Sequence, residues 1–246
     1  MRIASIAASF AVVVLSTPAL AQFASEQDRR AALEHYRTGQ EFMSAEQFEK
    51  AAESFGKAID MDPLLTLAHY GLGQAYMNLK RYASAIQAFS GCRGAFATLH
   101  SLQERDRVAV ERQRDDEIRE LKESVRRIRS GQMKMSQLNA DKIESHITAL
   151  ESQRSSIGGL FQSPPEVSLA LGSAYFRNQS LDDAEREWIA AITANPKMGE
   201  AHNNLAALYA MTGRKKEAET AVKAAEKAGY RVNPRLKDDI KRMPSS

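Results

Sequence analysis

The chain has a single cysteine, Cys92, so it can form no internal disulfide and offers neither a paired-cysteine metal site nor a redox pair. Seven prolines and thirteen glycines in 246 residues are too few for a collagenous or low-complexity chain. Charge of neither sign dominates. The formal net charge of +3 gives no broad field for nucleic acid, and none is expected as a partner. Ten bases against five acids from Arg214 to Arg242 read as a solvated last repeat with favourable helix C-termini. Also missing are a glycine-rich phosphate loop, a Gly-x-Ser-x-Gly elbow and a His-Glu-x-x-His pair. No catalytic, cofactor or metal site is therefore expected.

The longest apolar run, Ile3 to Leu15, is shorter than the roughly 20 residues a membrane-spanning helix needs. With Arg2 before it, Pro18 after it and Ala19-Leu20-Ala21 as a small-x-small site, residues 1–21 read as a cleavable secretory signal. The mature chain is expected to begin at Gln22, to be periplasmic or secreted, and to contain no integral membrane segment. No cysteine near that site could carry a lipid.

Present in force is a 34-residue period. Gly39, Ala51, Phe55 and Ala58 return at offsets of 34 as Gly73, Ala85, Phe89 and Cys92; Gly172, Ala184, Trp188 and Ala191 return as Ala206, Ala218, Val222 and Ala225. Each unit also sets a ring three residues after its small residue: Phe42, Tyr76, Tyr175 and Tyr209. This pattern resembles the tetratricopeptide repeat, a helix–turn–helix unit that stacks into an α-solenoid. The resemblance covers roughly 130 residues and implies an all-α binding scaffold whose ligand the repeat framework does not name. Two repeats are expected over residues 22–97 and two over 163–232, with a capping helix and tail at 233–246.

Local signals place the helices. Ser25 and Asp28, then Ser44 and Gln47, are spaced as capping boxes. A capping residue followed by proline recurs at Asp62-Pro63, Ser163-Pro164, Asn195-Pro196 and Asn233-Pro234, each expected to open a helix. Repeat two has no such stop, and no proline occurs from Ala95 to Ser163. Residues 98–162 therefore read as an insertion. Ile118, Leu121, Val125 and Ile128 form one apolar seam; Ile143, Ile147, Leu150 and Ile157 form another. Folded back to back, they pair Ile128 with Ile143, Val125 with Ile147 and Leu121 with Leu150. The expectation is an antiparallel, coiled-coil-like hairpin projecting from the array, available for reach or self-association. Its first limb, Leu99 to Arg129, would be roughly 45 Å long as one helix, with a basal part that either packs on the solenoid or stands alone.

In the family resembled, four positions of each first helix line the concave groove. Here they are Leu33, Tyr36, Gln40 and Met43 in repeat one and Leu67, Tyr70, Gln74 and Met77 in repeat two, the same four types twice. Repeats three and four place Glu166, Leu169, Ser173, Phe176 and Glu200, Asn203, Ala207, Ala210 there, a more polar row. The duplicated set, with Asn203, is the candidate groove for a protein or peptide partner; the alternatives are a recent duplication and a surface covered by the chain's own N-terminal helix or hairpin. His35, His69 and His202 share one repeat position and mark the framework, while His100, His146 and the run Asp115-Asp116-Glu117 read as solvated. The functional reading is an exported adaptor. An envelope-structural or cell-division accessory factor and an enzyme with an unrecognised site are the alternatives.

Overall fold

Apolar residues three and four apart give each repeat two helices with one sticky face apiece, and burying those faces against each other fixes the architecture. The computed structural model describes residues 23–103, 106–133, 137–155 and 163–244, within which all regular structure is α-helical. Repeat one pairs α1 (Glu26–Ser44) with α2 (Phe48–Met61), and repeat two pairs α3 (Thr66–Asn78) with α4 (Tyr82–Gln103). An inserted hairpin follows, α5 (Arg107–Arg129) and α6 (Gln137–Ser155). Repeat three is α7 (Pro165–Arg177) with α8 (Leu181–Ala194), repeat four α9 (Gly199–Met211) with α10 (Lys215–Lys227), and α11 (Pro234–Arg242) closes the array. The expected signal sequence, residues 1–21, lies outside the described residues.

Close approach within a repeat depends on a glycine facing a ring. A Cβ added at Gly39 would stand 2.6 Å from the Phe55 ring, one at Gly73 2.5 Å from Phe89, and one at Gly172 2.5 Å from Trp188. Repeat four carries Ala206 at that position and the smaller Val222 opposite, so the two sides change size together. The insertion does not interrupt stacking: α4 packs on α7, and Arg93 of α4 pairs with Glu187 of α8. At the far end Ile240 is buried and Leu236 packs beside it, covering the last repeat.

Several local expectations are corrected. Ser25 caps α1 by accepting from the Asp28 amide, but Ser44 is the last residue of α1 and bonds the Gln40 carbonyl, so the second capping box does not form. Of the capping residue–proline pairs, Asn233-Pro234 opens its helix directly, and α7 begins one residue late, at Pro165. Asp62-Pro63 and Asn195-Pro196 instead build the turn before a helix. Asp62 Oδ1 accepts from the Leu64 amide at 3.0 Å and Asn195 Oδ1 from the Lys197 amide at 3.1 Å, and the helices start at Thr66 and Gly199. His69 Nε2 and His202 Nε2 lie 3.0 and 3.1 Å from the carbonyls of Pro63 and Pro196, tying each helix back to that turn.

The insertion departs most from expectation. Its first limb is not one helix: α4 ends at Gln103 and α5 restarts at Arg107, capped by Asp106, whose carboxylate accepts from the Ala109 amide at 3.0 Å. The seam residues do meet, with Ile118, Leu121, Val125, Ile128, Ile147 and Leu150 buried in one cluster and Ile143 packed against it. Lys122–Glu151 and Arg129–Glu144 ion pairs at 2.8 Å join the limbs outside. That same cluster contains Ala32, Tyr36, Phe55 and Leu67, so the hairpin does not project; it shares a core with repeats one and two. Ile157 lies outside the described residues.

Candidate partner-binding groove and its occupant

Tyr36, Gln40 and Leu67 of the groove-lining set lie against α5. Along α1, Arg29 pairs with Asp116 at 3.3 Å, Arg37 makes a two-point contact with Glu120, and Arg127 reaches Glu41 at 3.2 Å, so α5 runs beside α1 in the same direction. Gln40 donates to the Ser124 hydroxyl at 3.2 Å and to the Tyr36 phenol. At the turn before α3, Gln113 donates to Asp62 Oδ2 at 3.1 Å. A helix this polar docks into a groove because its buried amides, hydroxyls and carboxylates find matching partners there, which offsets much of the cost of taking them out of water.

Tyr36 and Leu67 are buried; Leu33, Gln40, Met43, Tyr70 and Met77 are half-buried; Gln74 is exposed. Tyr36 leans on Phe55 with ring centroids 5.8 Å apart, and Tyr70 on Phe89 at 5.4 Å. Burial, then the nearby carboxylates of Glu120 and Glu117, pushes the Tyr36 phenol above its ordinary range. Tyr36, Gln40, Met43, Leu67, Tyr70 and Gln74 line a cavity of about 210 Å³ roofed by α5 and α6 and edged by the start of α7. Leu33, Met77 and Asn203 are not among its lining residues. Asn203 stands half-buried on α9, in the row with Ser173, Phe176, Ala207 and Ala210, which are likewise half-exposed. The hairpin touches that second row at Glu200, which Lys142 of α6 pairs at 2.6 Å.

Two polar residues read as solvated are not. Glu117 is 3% exposed and faces the cavity; burial raises its carboxyl to about 7, against the lowering influence of the Thr66 hydroxyl and the Arg114 guanidinium. His146 also lines the cavity, and burial lowers its imidazole to about 4. Helical spacing could not reveal this, because the groove that buries them is supplied by α3, some fifty residues away from Glu117 in sequence. Cys92 is buried as its repeat position predicts, with its thiol donating to the Thr66 carbonyl at 3.4 Å and pushed well up by burial. Among the described residues no group of three or more His, Cys, Asp or Glu could hold a metal ion, and no helix is long and apolar enough to cross a membrane.

A tetratricopeptide repeat family model matches residues 36–97 and 169–231, the two pairs of repeats on either side of the hairpin. No curated protein matches the chain. Similar solved structures include YrrB, a TPR protein with an unusual peptide-binding site, at 16% identity over 88% of this chain and 95% of that one, with a TM-score of 0.30. PilW, a widely conserved type IV pilus biogenesis factor, is 14% identical over 85% of this chain and 80% of its own, with a TM-score of 0.37. The TPR2AB-domain of yeast Sti1, in complex with pHSP90, is 13% identical over 86% of this chain and 98% of its own, with a TM-score of 0.31.

Proposed function

The chain belongs to the tetratricopeptide repeat family, and from that premise we propose that it is an exported adaptor whose concave face receives a protein partner. The observation that carries the reading is the unequal cover of that face. Tyr36 and Leu67 of the first pair are buried against α5, whereas no residue of the corresponding row in repeats three and four is buried: Ser173, Phe176, Asn203, Ala207 and Ala210 are half-buried, as are Leu33, Gln40, Met43, Tyr70 and Met77. A polypeptide would first meet the open half. The surface around Tyr36, Gln40 and Leu67 becomes available when the hairpin moves, so the hairpin competes internally with the partner and sets its apparent affinity. Self-association through the apolar seam is disfavoured on this reading, since those side chains are already buried within one chain.

Affinity capture from envelope extracts tests this. Glu120→Arg, which sets two bases against each other at Arg37, should loosen the hairpin and increase capture; Phe176→Ala with Asn203→Ala should reduce it. Equal capture by both variants and the parent would contradict the reading. Export is checked separately by N-terminal sequencing, which should begin at Gln22; a retained Met1 would show that no cleavage occurs.

A further inference from the structure

The cavity between groove and hairpin sets the polar group Thr66, Glu117 and His146 beside apolar and aromatic walls that include Phe55, Leu67, Phe96 and Leu121, with Gln40, Asn139, Lys142 and Glu166 also lining it. Three lining residues carry buried side-chain atoms that meet no partner at full hydrogen-bond geometry among the described residues, Thr66 Oγ1, Glu117 Oε1 and His146 Nε2, although the Thr66 hydroxyl is near enough to Glu117 to lower its carboxyl. Buried polar groups are normally satisfied, and three exceptions converging on one cavity specify the chemistry of what would satisfy them. Glu117 Oε1 and His146 Nε2 stand 3.9 Å apart, too far to bond each other, yet one nitrogen placed between them can lie about 2.9 Å from both.

We propose that this cavity binds a small primary amine carried on a single aromatic ring or a short branched aliphatic body, with its ammonium held by Glu117, His146 and Thr66. An ammonium has three donors and no acceptor, which matches a carboxylate oxygen, an imidazole nitrogen and a hydroxyl oxygen. His146, lowered to about 4, is a neutral acceptor at physiological pH, and Glu117, at about 7, is tipped to its anion by an entering cation. The charged groups lining the cavity are Glu117, Glu166 and Lys142; Lys142 is engaged by Glu200, Arg114 of α5 also acts on Glu117, and a guest acid would face the Glu117 and Glu166 carboxyls. Size sets the body: a cavity of about 150 Å³ suffices for benzene, and this one is about 210 Å³. The aromatic walls add attraction for a cation at their faces.

Titrating the mature protein with phenethylamine, phenethyl alcohol and phenylacetate, followed by calorimetry and ligand-observed NMR, tests the assignment. The amine should bind saturably at one site, and the alcohol and the acid about tenfold more weakly or worse, as expected for loss of one charge-assisted contact. Glu117→Gln should weaken amine binding by at least about tenfold while leaving the helical signal intact. The idea is overturned if the alcohol or the acid binds as tightly as the amine, if folded Glu117→Gln keeps full affinity, or if no probe saturates by about 10 mM. Should Glu117→Gln fail to fold, the ranking of the three probes on the parent protein decides alone.

Discussion

Repeats one and two and repeats three and four are cut to one pattern but cover their concave faces unequally. In the first pair α5 lies against Tyr36, Gln40 and Leu67, and Tyr36 and Leu67 are buried; in the second pair Glu166, Leu169, Ser173, Phe176, Glu200, Asn203, Ala207 and Ala210 are all half-buried. Solvation accounts for the difference. A row of tyrosines and methionines gains by being covered, roughly 25 cal/mol for each Å² of apolar surface removed from water, whereas a row with only Leu169 and Phe176 among small and polar side chains gains less. The fit is also specific: α5 brings Gln113, Glu120 and Ser124 to Asp62, Arg37 and Gln40, whereas among the described residues the second pair meets the hairpin through Glu200 with Lys142 and along the cavity edge at Glu166.

The strongest way to break the comparison is through the shared core. Leu121→Ala removes a buried side chain from the cluster that joins hairpin and first repeats, and should cost about 2–5 kcal/mol. Because each repeat in such an array is held mainly by its neighbours, hydrogen exchange should rise in α1, α3 and α5 together and little in α9 and α10. Exchange confined to α5 and α6 would show that the hairpin folds as a separate unit.

How far this was legible in the chain follows from sequence separation. The 34-residue period fixes the repeats because Gly39 against Phe55 and Gly172 against Trp188 are contacts made within one unit, repeated at one spacing. The hairpin seam was equally local: Ile118, Leu121, Val125 and Ile128 declare a face by their steps. What stayed hidden was the other side of α5. Glu117 read as solvated within the run Asp115-Asp116-Glu117, and Gln113, Glu120 and Ser124 gave no signal of burial, since polar residues at helical spacing announce burial only when their partners are known, and those partners lie up to 84 residues away. The same reason concealed His146. The turns were half-legible: Asp62-Pro63 signals punctuation, but an Asx turn and a helix cap use the same residues.

A second prediction, of up to about 3 kcal/mol, concerns pH and belongs to the covered half alone. Glu117 rises from its ordinary 4.5 to about 7, so the folded state holds more protons than the unfolded between those values, and stability falls as pH rises through that window. His146 falls from 6.5 to about 4, so the folded state there holds fewer protons, and stability rises from pH 4 to 6.5. The two slopes oppose each other, and the parent protein should be nearly flat across the overlap. Glu117→Gln should leave only the rise and His146→Gln only the fall, as read from thermal unfolding at a series of pH values. Parallel profiles for parent and both variants would refute the placement of these groups.

The smallest expected effect lies in a turn that all four repeats share. Glu46, Lys80 and Gln179 adopt φ of 57°, 57° and 64°, a left-handed conformation that repeat four gives to Gly213 at 79°. Lys80→Gly should stabilise by about 1 kcal/mol by relieving the Cβ contact, and Gly213→Ala should destabilise by a similar amount. Denaturant midpoints at unchanged slope measure both. A loss on Lys80→Gly would mean that side-chain packing outweighs backbone strain in that turn.

The most direct test of the account is whether the hairpin lies on the solenoid in solution. Zero-length carbodiimide coupling joins only a lysine and a carboxylate already in contact, and two ion pairs serve as probes. Lys122–Glu151, at 2.8 Å, lies within the hairpin and should couple whether it projects or docks; Lys142–Glu200, at 2.6 Å, links the hairpin to repeat four. With the hairpin docked, both cross-links form within a single chain, identified by mass spectrometry of the monomer band. Recovery of Lys122–Glu151 without Lys142–Glu200 would contradict docking and return the hairpin to a projecting arm.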